Sequence, residues 1–283
     1  MRILVAGARG QLGAAVVREC AGRHDVLALD RTRLDVTDQA AVTAVMAREK
    51  PDAIINCTGY NAVDGAEDHP TEALAVNALA VRTLARAAAP VGATLVHFSS
   101  DFVFDGFGST PMTEADRPNP RSVYAASKLI GEWFALDRPE AYVLRVESLF
   151  GEVPGVVPKG SVAGIVTALQ SGGVPKVFED RTVSPTFVFD AARAMRELLE
   201  GRHPHGLYHC VNTGHATWLE FATEAARIMD VAPRFEVVRF ADVKLPAARP
   251  QFCALSNQKL TLLGVDMPTW QDALRRYIHS RTA

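Results

Sequence analysis

The chain has 283 residues, of which 48% are hydrophobic and 22% are charged, and its formal net charge at pH 7 is −2. This composition is typical of a globular chain and excludes intrinsically disordered and collagen-like proteins. Because nucleic acids and anionic membranes select basic surfaces, the balanced charge predicts neither of them as a partner.

Two further features bear on the cellular compartment. No apolar run approaches the ~18 residues of a membrane-spanning helix, and the first residues run straight into glycines, unlike a signal peptide. The four cysteines lie far apart, without C-x-x-C spacing. We therefore expect a reduced, cytoplasmic protein without a membrane segment.

Short apolar runs without polar alternation predict buried parallel strands in the first half of the chain. These runs are Ile3–Ala6, Val26–Leu29, Ala53–Cys57, Thr94–Phe98 and Tyr142–Val146. Helical patterns alternate with them, at Gln11–Cys20, Ala40–Glu49, Thr71–Ala89 and Val123–Leu136. The alternation predicts an α/β fold with a doubly wound parallel sheet of the Rossmann type.

The rhythm changes after about residue 150, where the segments become shorter and the loops longer. The expected elements there are helices at Phe189–Leu199, Leu219–Met229 and Thr269–His279 and a strand at Gly206–Cys210. We interpret residues 1–150 as an NAD(P)-binding Rossmann domain. Residues 151–283 form, on this interpretation, a smaller mixed α+β substrate-binding lobe that is partly interleaved with the Rossmann sheet.

A glycine-rich turn with G-x-x-G-x-x-G spacing lies between the first strand and the first helix. Its glycines suit a tight turn, a close approach to a pyrophosphate and close helix–strand packing. The N-terminus of the helix favours the phosphates. The expected cofactor contacts come from Gly7, Gly10, Gln11, Leu12 and Gly13.

The end of the second strand bears on the choice of cofactor. Asp30 lies 17 residues past Gly13, where a carboxylate accepts hydrogen bonds from the ribose diol of NAD. The adjacent Arg31 suits the 2′-phosphate of NADP. We expect NADP(H), with NAD(H) as the alternative. Asp35 and Val36 lie where they could line the adenine ring, unless Asp35 only caps a helix.

Small and polar residues follow the third strand, at the edge where open α/β sheets bind ligands. Cys57, Thr58 and Gly59 would let the backbone pass close to a cofactor, although a simple tight turn has the same composition. Asn77 interrupts an otherwise apolar helix. Since a buried amide needs partners, Asn77 either ties the helix to a loop or helps to shape the site.

Tyr124 and Lys128 are spaced i, i+4 and therefore share one face of the predicted fourth helix. We expect the ammonium to lower the pKa of the phenol and to hold the ribose of a nicotinamide nucleotide. Ser100 ends the fourth strand, where its hydroxyl could polarise a substrate carbonyl while Tyr124 delivers the proton.

The histidines near the predicted strand Gly206–Cys210 do not indicate a metal. Their spacing fits neither H-E-x-x-H nor a zinc finger. His209 and Cys210 would face opposite sides of the strand. We expect no metal site.

These motifs together resemble the extended short-chain dehydrogenase/reductases, and within them the dTDP-4-dehydrorhamnose reductase family. Ala62–Glu67 resembles the family's A-V-D-x-A-E, and Ser99–Phe104 resembles S-T-D-Y-V-F. Tyr124–Glu132 resembles Y-G-x-S-K-x-x-G-E, and Ala248-Arg249-Pro250 resembles a later signature. The resemblance covers nearly the whole chain.

The resemblance implies NAD(P)H-dependent reduction of a 4-keto-6-deoxy nucleotide-sugar, most closely of dTDP-4-dehydrorhamnose to dTDP-rhamnose. By position, Tyr124 is the proton donor, Lys128 its activator and ribose ligand, and Ser100 the catalytic hydroxyl. Arg249 would lie near the substrate's phosphates. The substrate-binding residues are then expected to be Ser100, Asp101, Tyr124, Ser148 and Arg249.

The sequence also departs from the family pattern. Ser148 replaces a usual Trp of the substrate pocket, which puts the identity of the sugar in question. Ala15 replaces a glutamate that bridges a metal-dependent dimer in some members, so we expect a monomer or a metal-independent homodimer. Asp101 beside Ser100 keeps an epimerase or dehydratase as an alternative. The second alternative is a non-catalytic NADP-binding role, like that of the regulatory subunit of methionine adenosyltransferase.

Overall fold

A six-stranded parallel sheet forms the centre of the computed structural model, which describes residues 1–282. In chain order, the described strands are β1 Arg2–Ala6, β2 Asp25–Leu29, β3 Ala53–Asn56, β4 Thr94–Ser100, β5 Ala141–Val146, β6 Leu149–Phe150, β7 Lys176–Phe178, β8 Thr182–Val183, β9 Thr186–Phe187, β10 Gly206–His209, β11 Ala216–Thr217 and β12 Glu236–Val238. The central order is β2-β1-β3-β4-β5-β10. This sheet confirms the predicted doubly wound Rossmann-type fold.

The sheet is buried because helices cover both of its faces. The described helices are α1 Gln11–Cys20, α2 Gln39–Glu49, α3 Gly65–Asp68, α4 Pro70–Leu74, α5 Ala80–Ala88, α6 Val123–Leu136, α7 Ser161–Gln170, α8 Val188–Glu200, α9 Trp218–Ile228, α10 Gln258–Thr261 and α11 Trp270–Thr282. Helices α1 and α8 cover one face, where Val16 and Met195 join the core around Val5. Helices α2 and α5 cover the other, where Met46 and Leu84 pack with Leu4 and Ile54.

The order of the strands places a ligand crevice at a defined point. Strand β1 pairs with β2 on one side and with β3 on the other, so the chain direction across the sheet reverses there. Open α/β sheets bind ligands at the carboxyl ends of the strands beside such a reversal. The glycine turn, the loop after β3 and the end of β4 all lie at that edge.

The helical run from α4 to α5 contains a π-helical segment, Ala75–Leu79, that the sequence did not predict. The run Pro70–Val91 is also long and apolar enough, by length and composition alone, to cross a membrane, contrary to our expectation. One face of it packs against the sheet, where Val81 and Leu84 are fully buried. Core helices commonly satisfy the same criterion.

Residues after 150 build a second core and also return to the first one. Phe150, Phe221 and Trp270 are among the buried residues of the second core. Strand β10 pairs with β5 in the central sheet, and α8 packs against α1. Helix α7 belongs to this half and was not predicted. The division into domains at residue 150 stays a prediction.

We predict that Gly131 is essential to the packing of α6. A Cβ built on Gly131 would lie 2.2 Å from the Asn77 carbonyl oxygen of the π-helical segment. Gly131→Ala should therefore cost about 1–3 kcal/mol of unfolding free energy, as overpacking does. Denaturant titration followed by circular dichroism measures this.

The matched control for this prediction is Gly164→Ala in α7. A Cβ at Gly164 meets no atom of the described chain within 4 Å. Alanine should therefore stabilise that helix by about 0.5–1 kcal/mol. Equal stabilities for the two variants would show that α6 can move away from Asn77 without cost.

Candidate active site

The three glycines of the first turn have different structural roles. Gly7 has a φ of +78°, and a Cβ there would lie 2.9 Å from the Cys57 carbonyl carbon. A Cβ on Gly13 would lie 2.2 Å from the Gly7 oxygen. Gly10 has an ordinary φ of −74°, and its Cβ would lie 3.3 Å from the same oxygen. The fold therefore needs Gly7 and Gly13, whereas Gly10 leaves room for a ligand.

The first turn of α1 is suited to bind an anion. Within residues 1–282, no side chain caps this helix, and its first turn contains no acidic residue. Its N-terminal N–H groups and the helix dipole then favour a phosphate. The Gln11 side chain donates to the Gly151 carbonyl oxygen at 2.8 Å, and Leu12 is buried. Only the backbone of these two residues is therefore positioned to meet a pyrophosphate.

The carboxylate of Asp30 is held by the turn that follows it. It accepts from the Thr32 hydroxyl at 2.6 Å and from the Thr32 N–H at 3.0 Å, and these hydrogen bonds lower the pKa of Asp30. Arg9 lies 3.4 Å from the same carboxylate. A cavity of about 430 Å³ here is lined by Arg9, Arg18, Asp30 and Arg33 among others. This group of arginines suits a 2′-phosphate.

Arg31 and Asp35 form a loose ion pair of 3.8 Å on the surface beside this cavity. The Asp35 carboxylate accepts from the N–H and the hydroxyl of Thr37. Val36 is buried in the core that contains Leu34. The proposed contacts of Asp35 and Val36 with an adenine ring stay predictions.

A buried amide fixes the loop after β3. Asn56 Oδ1 accepts from the N–H and the hydroxyl of Thr58, and its Nδ2 lies 3.1 Å from Nδ1 of buried His97. Burial raises the pKa of the Cys57 thiol, which therefore stays neutral. A Cβ on Gly59 would lie 3.1 Å from Asn61 Oδ1. The backbone of this loop is thus held close to the glycine turn.

Asn77 ties its helical run to a loop, the first of the two roles that the sequence left open, and its part in shaping the site stays a prediction. Its Oδ1 accepts from the Tyr60 N–H at 2.8 Å, and its Nδ2 donates to the Tyr60 carbonyl at 3.0 Å. The same Nδ2 contacts the Ser127 hydroxyl at 3.0 Å. Asn77 therefore ties the loop after β3 to helix α6, one residue from Lys128.

Tyr124 lies in the first turn of α6, which Ser122 caps by accepting from the Ala125 N–H. The phenol is 8% exposed, and Phe102 packs edge-on against its ring. Burial raises the pKa of Tyr124 to about 12, opposed by a hydrogen bond with Ser100 and reinforced by the charge of Asp101. The expectation of a lowered phenol pKa is therefore wrong, because burial dominates.

Lys128 is 4% exposed, and its Nζ donates to the Phe98 carbonyl oxygen at 2.6 Å. Burial lowers the pKa of Lys128 to about 8, and the charge of Glu132 opposes this shift. The ammonium is thus directed at the end of β4. Its contact with a ribose stays a prediction.

Ser100 brings together two groups with different chemistry. Its hydroxyl donates to Asp101 Oδ1 at 2.9 Å and lowers the pKa of the neighbouring Tyr124 phenol. The hydroxyl also accepts from the Phe102 N–H at 3.2 Å. Phe102 also packs against the Tyr124 ring, so the predicted catalytic hydroxyl and phenol are neighbours at the carboxyl end of β4.

The sequence predicted only some of the site residues that follow β5 or lie in the Ala248-Arg249-Pro250 signature. Ser148 has a positive φ of 42°, unusual for a side-chain-bearing residue. The preceding Glu147 is buried, and the sequence analysis missed it. Its signal is an acidic residue directly after an apolar strand. Arg249 forms a two-pronged ion pair with Asp64, with both contacts at 2.8 Å, so its role at a phosphate stays a prediction.

The side chains of His209 and Cys210 point to different surroundings. The His209 ring lies 3.3 Å from Arg145 and 3.1 Å from the Met112 carbonyl. The Cys210 thiol faces the Ala191 carbonyl oxygen at 4.0 Å. These contacts account for both side chains without an ion, and the absence of a metal stays a prediction.

A doubly wound sheet with a glycine turn at β1, a hydroxyl at the end of β4 and a Tyr-x-x-x-Lys helix defines the short-chain dehydrogenase/reductase class. The sequence model described as "RmlD substrate binding domain" matches residues 1–282, and the chain belongs to this family. The expected family and the class of NAD(P)-dependent oxidoreductase are thereby confirmed.

Individual relatives match this chain over nearly their whole length, in sequence and in structure. A Streptomyces antibioticus protein described as a probable dTDP-4,6-dihydroxy-2-methyloxan-3-one 4-ketoreductase is 37% identical, over 97% of this chain and 94% of that protein. The structure of a dTDP-4-dehydrorhamnose reductase from Clostridium acetobutylicum has a TM-score of 0.94 at 32% identity and 100% coverage of both chains. That of a dTDP-4-dehydrorhamnose reductase from Bacillus anthracis, in complex with NADP, has a TM-score of 0.92 at 30% identity and 99% coverage of both.

We predict that Gly10→Leu weakens dinucleotide binding at least tenfold and leaves the fold intact. Its backbone suits any residue, and the side chain would fill the space over the N-terminus of α1. NADPH affinity should fall at least tenfold, or about 1.4 kcal/mol, by calorimetry. Gly13→Ala is the contrast, since its Cβ would meet the Gly7 oxygen and lower the melting temperature. Unchanged NADPH affinity in Gly10→Leu would refute this placement of the cofactor.

Proposed function

We propose that the protein uses NADPH to reduce the 4-keto group of a 4-keto-6-deoxy nucleotide-sugar, most closely dTDP-4-dehydrorhamnose to dTDP-rhamnose. The observation that carries the proposal is that the Ser100 hydroxyl and the protonated Tyr124 phenol are neighbours at the end of β4, where Phe102 contacts both residues. The names of the full-length relatives support reduction over epimerisation or dehydration. NADPH oxidation with dTDP-4-dehydrorhamnose, with the product identified by NMR, tests the proposal.

The residues at the edge of the sheet fit a nicotinamide dinucleotide. The N-terminus of α1 would bind the pyrophosphate, and the arginines around Asp30 favour the 2′-phosphate of NADP(H) over NAD(H). The Bacillus anthracis relative with bound NADP supports this preference. When bound, the cofactor supplies the hydride for the carbonyl carbon of the sugar.

Tyr124 is suited to act as the acid in this reduction. With a pKa of about 12, the phenol carries its proton at neutral pH and can give it to the developing alkoxide. Ser100 hydrogen-bonds the same oxygen and lowers the barrier by polarising the carbonyl. Lys128 orients the ribose through its ammonium.

We further propose that residues 1–150 bind the cofactor and residues 151–283 the sugar, with β10 and α8 returning to the first domain. The family resemblance implies a Trp where this chain has Ser148, and the smaller side chain would leave a wider sugar pocket. Arg249, held by Asp64, would turn to the diphosphate of the substrate. The four free cysteines are in keeping with a cytoplasmic location.

We predict that Tyr124→Phe lowers turnover by about 10²–10⁴, because a positioned acid is lost. Phenylalanine keeps the ring and its contact with Phe102, so stability and NADPH affinity should barely change. Single-turnover NADPH oxidation measures the effect. A wild-type rate would show that Tyr124 is not the acid.

Two companion variants separate the roles of the neighbours. Lys128→Ala should lose both turnover and cofactor affinity, since the ammonium serves both. Ser100→Ala should lower turnover less, because Tyr124 still meets the carbonyl. The two hydroxyls act together, so the losses in the Tyr124→Phe/Ser100→Ala double variant should not add. Additive losses would mean that the hydroxyls work independently.

We also propose a monomer or a metal-independent homodimer. Ala15 of α1 is fully buried inside the core and offers no carboxylate to a bridging ion. Sedimentation velocity should therefore give the same distribution with magnesium and with a chelator. A magnesium-dependent shift from monomer to dimer would contradict this.

A further inference from the structure

A cluster of three buried ionisable side chains lies directly behind Ser100. Asp101 follows β4, Glu147 follows β5, and Cys253 comes from the loop before α10. Each is 3% exposed, and one oxygen or sulfur atom of each lies within 4.8 Å of the other two. The mechanism proposed above uses none of the three.

The two carboxyl groups are only half satisfied. Asp101 Oδ1 accepts from the Ser100 hydroxyl at 2.9 Å, and Glu147 Oε2 accepts from the Ser184 N–H at 2.6 Å. The other oxygens, Asp101 Oδ2 and Glu147 Oε1, are buried and have no partner in the described chain. A buried acceptor without a partner costs about 1–3 kcal/mol.

A single proton shared by the two carboxyl groups would give a buried oxygen its missing hydrogen-bond partner. Two carboxylates buried this close together cannot both ionise, since each opposes the charge of the other. Burial raises the pKa of Asp101 to about 6, and burial together with the charge of Asp101 raises that of Glu147. The positive group facing both is Arg181, which opposes these shifts. The pair therefore binds a proton more tightly than ordinary carboxylates do.

We propose that Asp101 and Glu147 hold one proton between them and that this proton recharges Tyr124 through the Ser100 hydroxyl. The proposal rests on the proposed reduction, in which Tyr124 gives its proton to the sugar oxygen. The phenolate then takes the proton of the Ser100 hydroxyl, while the carboxyl pair gives its proton to Ser100 Oγ. One O–H bond breaks and one forms at each step, with no change of oxidation state, and water protonates the pair again before the next turnover.

The geometry supports this direction of transfer. The 2.9 Å contact between Ser100 Oγ and Asp101 Oδ1 serves a proton on either atom. Phe102 contacts both Ser100, through its N–H at 3.2 Å, and Tyr124, through its ring, so the Ser100 hydroxyl lies between the carboxyl pair and the phenol, whose pKa it lowers. In this relay, Asp101 and Glu147 act on Tyr124 only through Ser100, so they are positioning residues for the acid.

The same cluster is a poor metal site. Its third donor is the Cys253 thiol, whose pKa is raised by burial and by the two carboxyl groups, so it stays protonated. The Arg181 guanidinium lies 3.9 Å from that sulfur and repels a cation. Metal binding is therefore an outcome that the experiment has to exclude.

The first experiment detects the shared proton without reference to activity. Infrared spectroscopy at pH 7 should show the C=O stretch of a buried protonated carboxyl group in the wild type. Glu147→Gln should lose this band, because the amide donates to Asp101 and leaves it ionised. Glu236→Gln, at an exposed carboxylate, should keep it. A wild type without the band, or a band that survives in Glu147→Gln, overturns the proposal.

The second experiment tests the recharging of Tyr124. Wild-type kcat should fall as the pH rises past the pKa of the pair, because the stored proton is lost. Glu147→Gln should lower kcat about tenfold at low pH. Its kcat should no longer fall as the pH rises past the pKa of the pair, and its KM should stay within about twofold of the wild-type value. Glu147→Asp, which keeps a carboxyl group, should restore this fall. A wild-type profile in Glu147→Gln refutes the relay.

The outcomes distinguish failure of the proton relay from failure of the proposed keto-sugar reduction on which it rests. If the wild type reduces no keto-sugar, the proposed function fails, and the infrared band still decides whether the pair shares a proton. A merely structural Glu147 would lower stability in Glu147→Gln and leave the shape of the pH profile unchanged, which overturns the relay. One bound metal per wild-type chain, lost in Glu147→Gln, overturns both parts.

Discussion

The close approach of helix α6 to the Asn77 carbonyl is the constraint on which the site depends. Only a residue without a Cβ allows it, because a Cβ on Gly131 would lie 2.2 Å from that oxygen. The approach lets the Asn77 amide contact both the Tyr60 backbone and the Ser127 hydroxyl. One contact thus sets the distance between the loop after β3, on the cofactor side, and the helix that carries the acid. Single-turn π-helical segments often occur at functional sites for this kind of reason.

A buried ion pair fixes the same helix from its other side. Arg145 of β5 binds both oxygens of Glu132 at 2.8 and 2.7 Å, and both side chains are almost fully buried. The guanidinium also lies over the Phe104 ring at 4.9 Å. Removing one partner of such a pair costs about 3–5 kcal/mol, because the other charge stays buried. The negative charge of Glu132 also favours the ammonium of Lys128, so the pair contributes to the site as well as to the fold.

The sequence predicts those elements that depend on interactions between residues close together in the chain. Helices α1 and α6 lie at their predicted bounds, because apolar periodicity and capping residues are local signals. The glycine turn was likewise readable from spacing. The π-helical segment contacts Gly131, more than 50 positions away in the chain, and no local pattern predicts this contact. Helix α7 was missed because glycines flank it on both sides.

The site residues were likewise predictable where local spacing determines them, and unpredictable where packing between distant segments does. Spacing placed Tyr124 and Lys128 on one helical face, yet it gave the wrong direction for the pKa of the phenol. The burial that raises this pKa depends on how α6, the end of β4 and Phe102 pack together. Glu147 escaped notice because its partner Asp101 follows another strand, β4, whose end lies beside that of β5. Contacts between strands of a parallel sheet are long-range in the sequence, so spacing alone does not reveal them.

The protonation states at this site match the direction of the proposed chemistry. A reduction needs a proton at the carbonyl oxygen, whereas the reverse oxidation needs a base there. With a phenol pKa of about 12, the resting enzyme holds the acid form, and Asp101 strengthens that preference through its charge. An enzyme cannot shift the equilibrium between its substrates and products. The resting protonation state does decide which direction begins without a prior exchange of protons with water. Burial of Tyr124 beside acidic groups thus prepares the site to reduce a ketone.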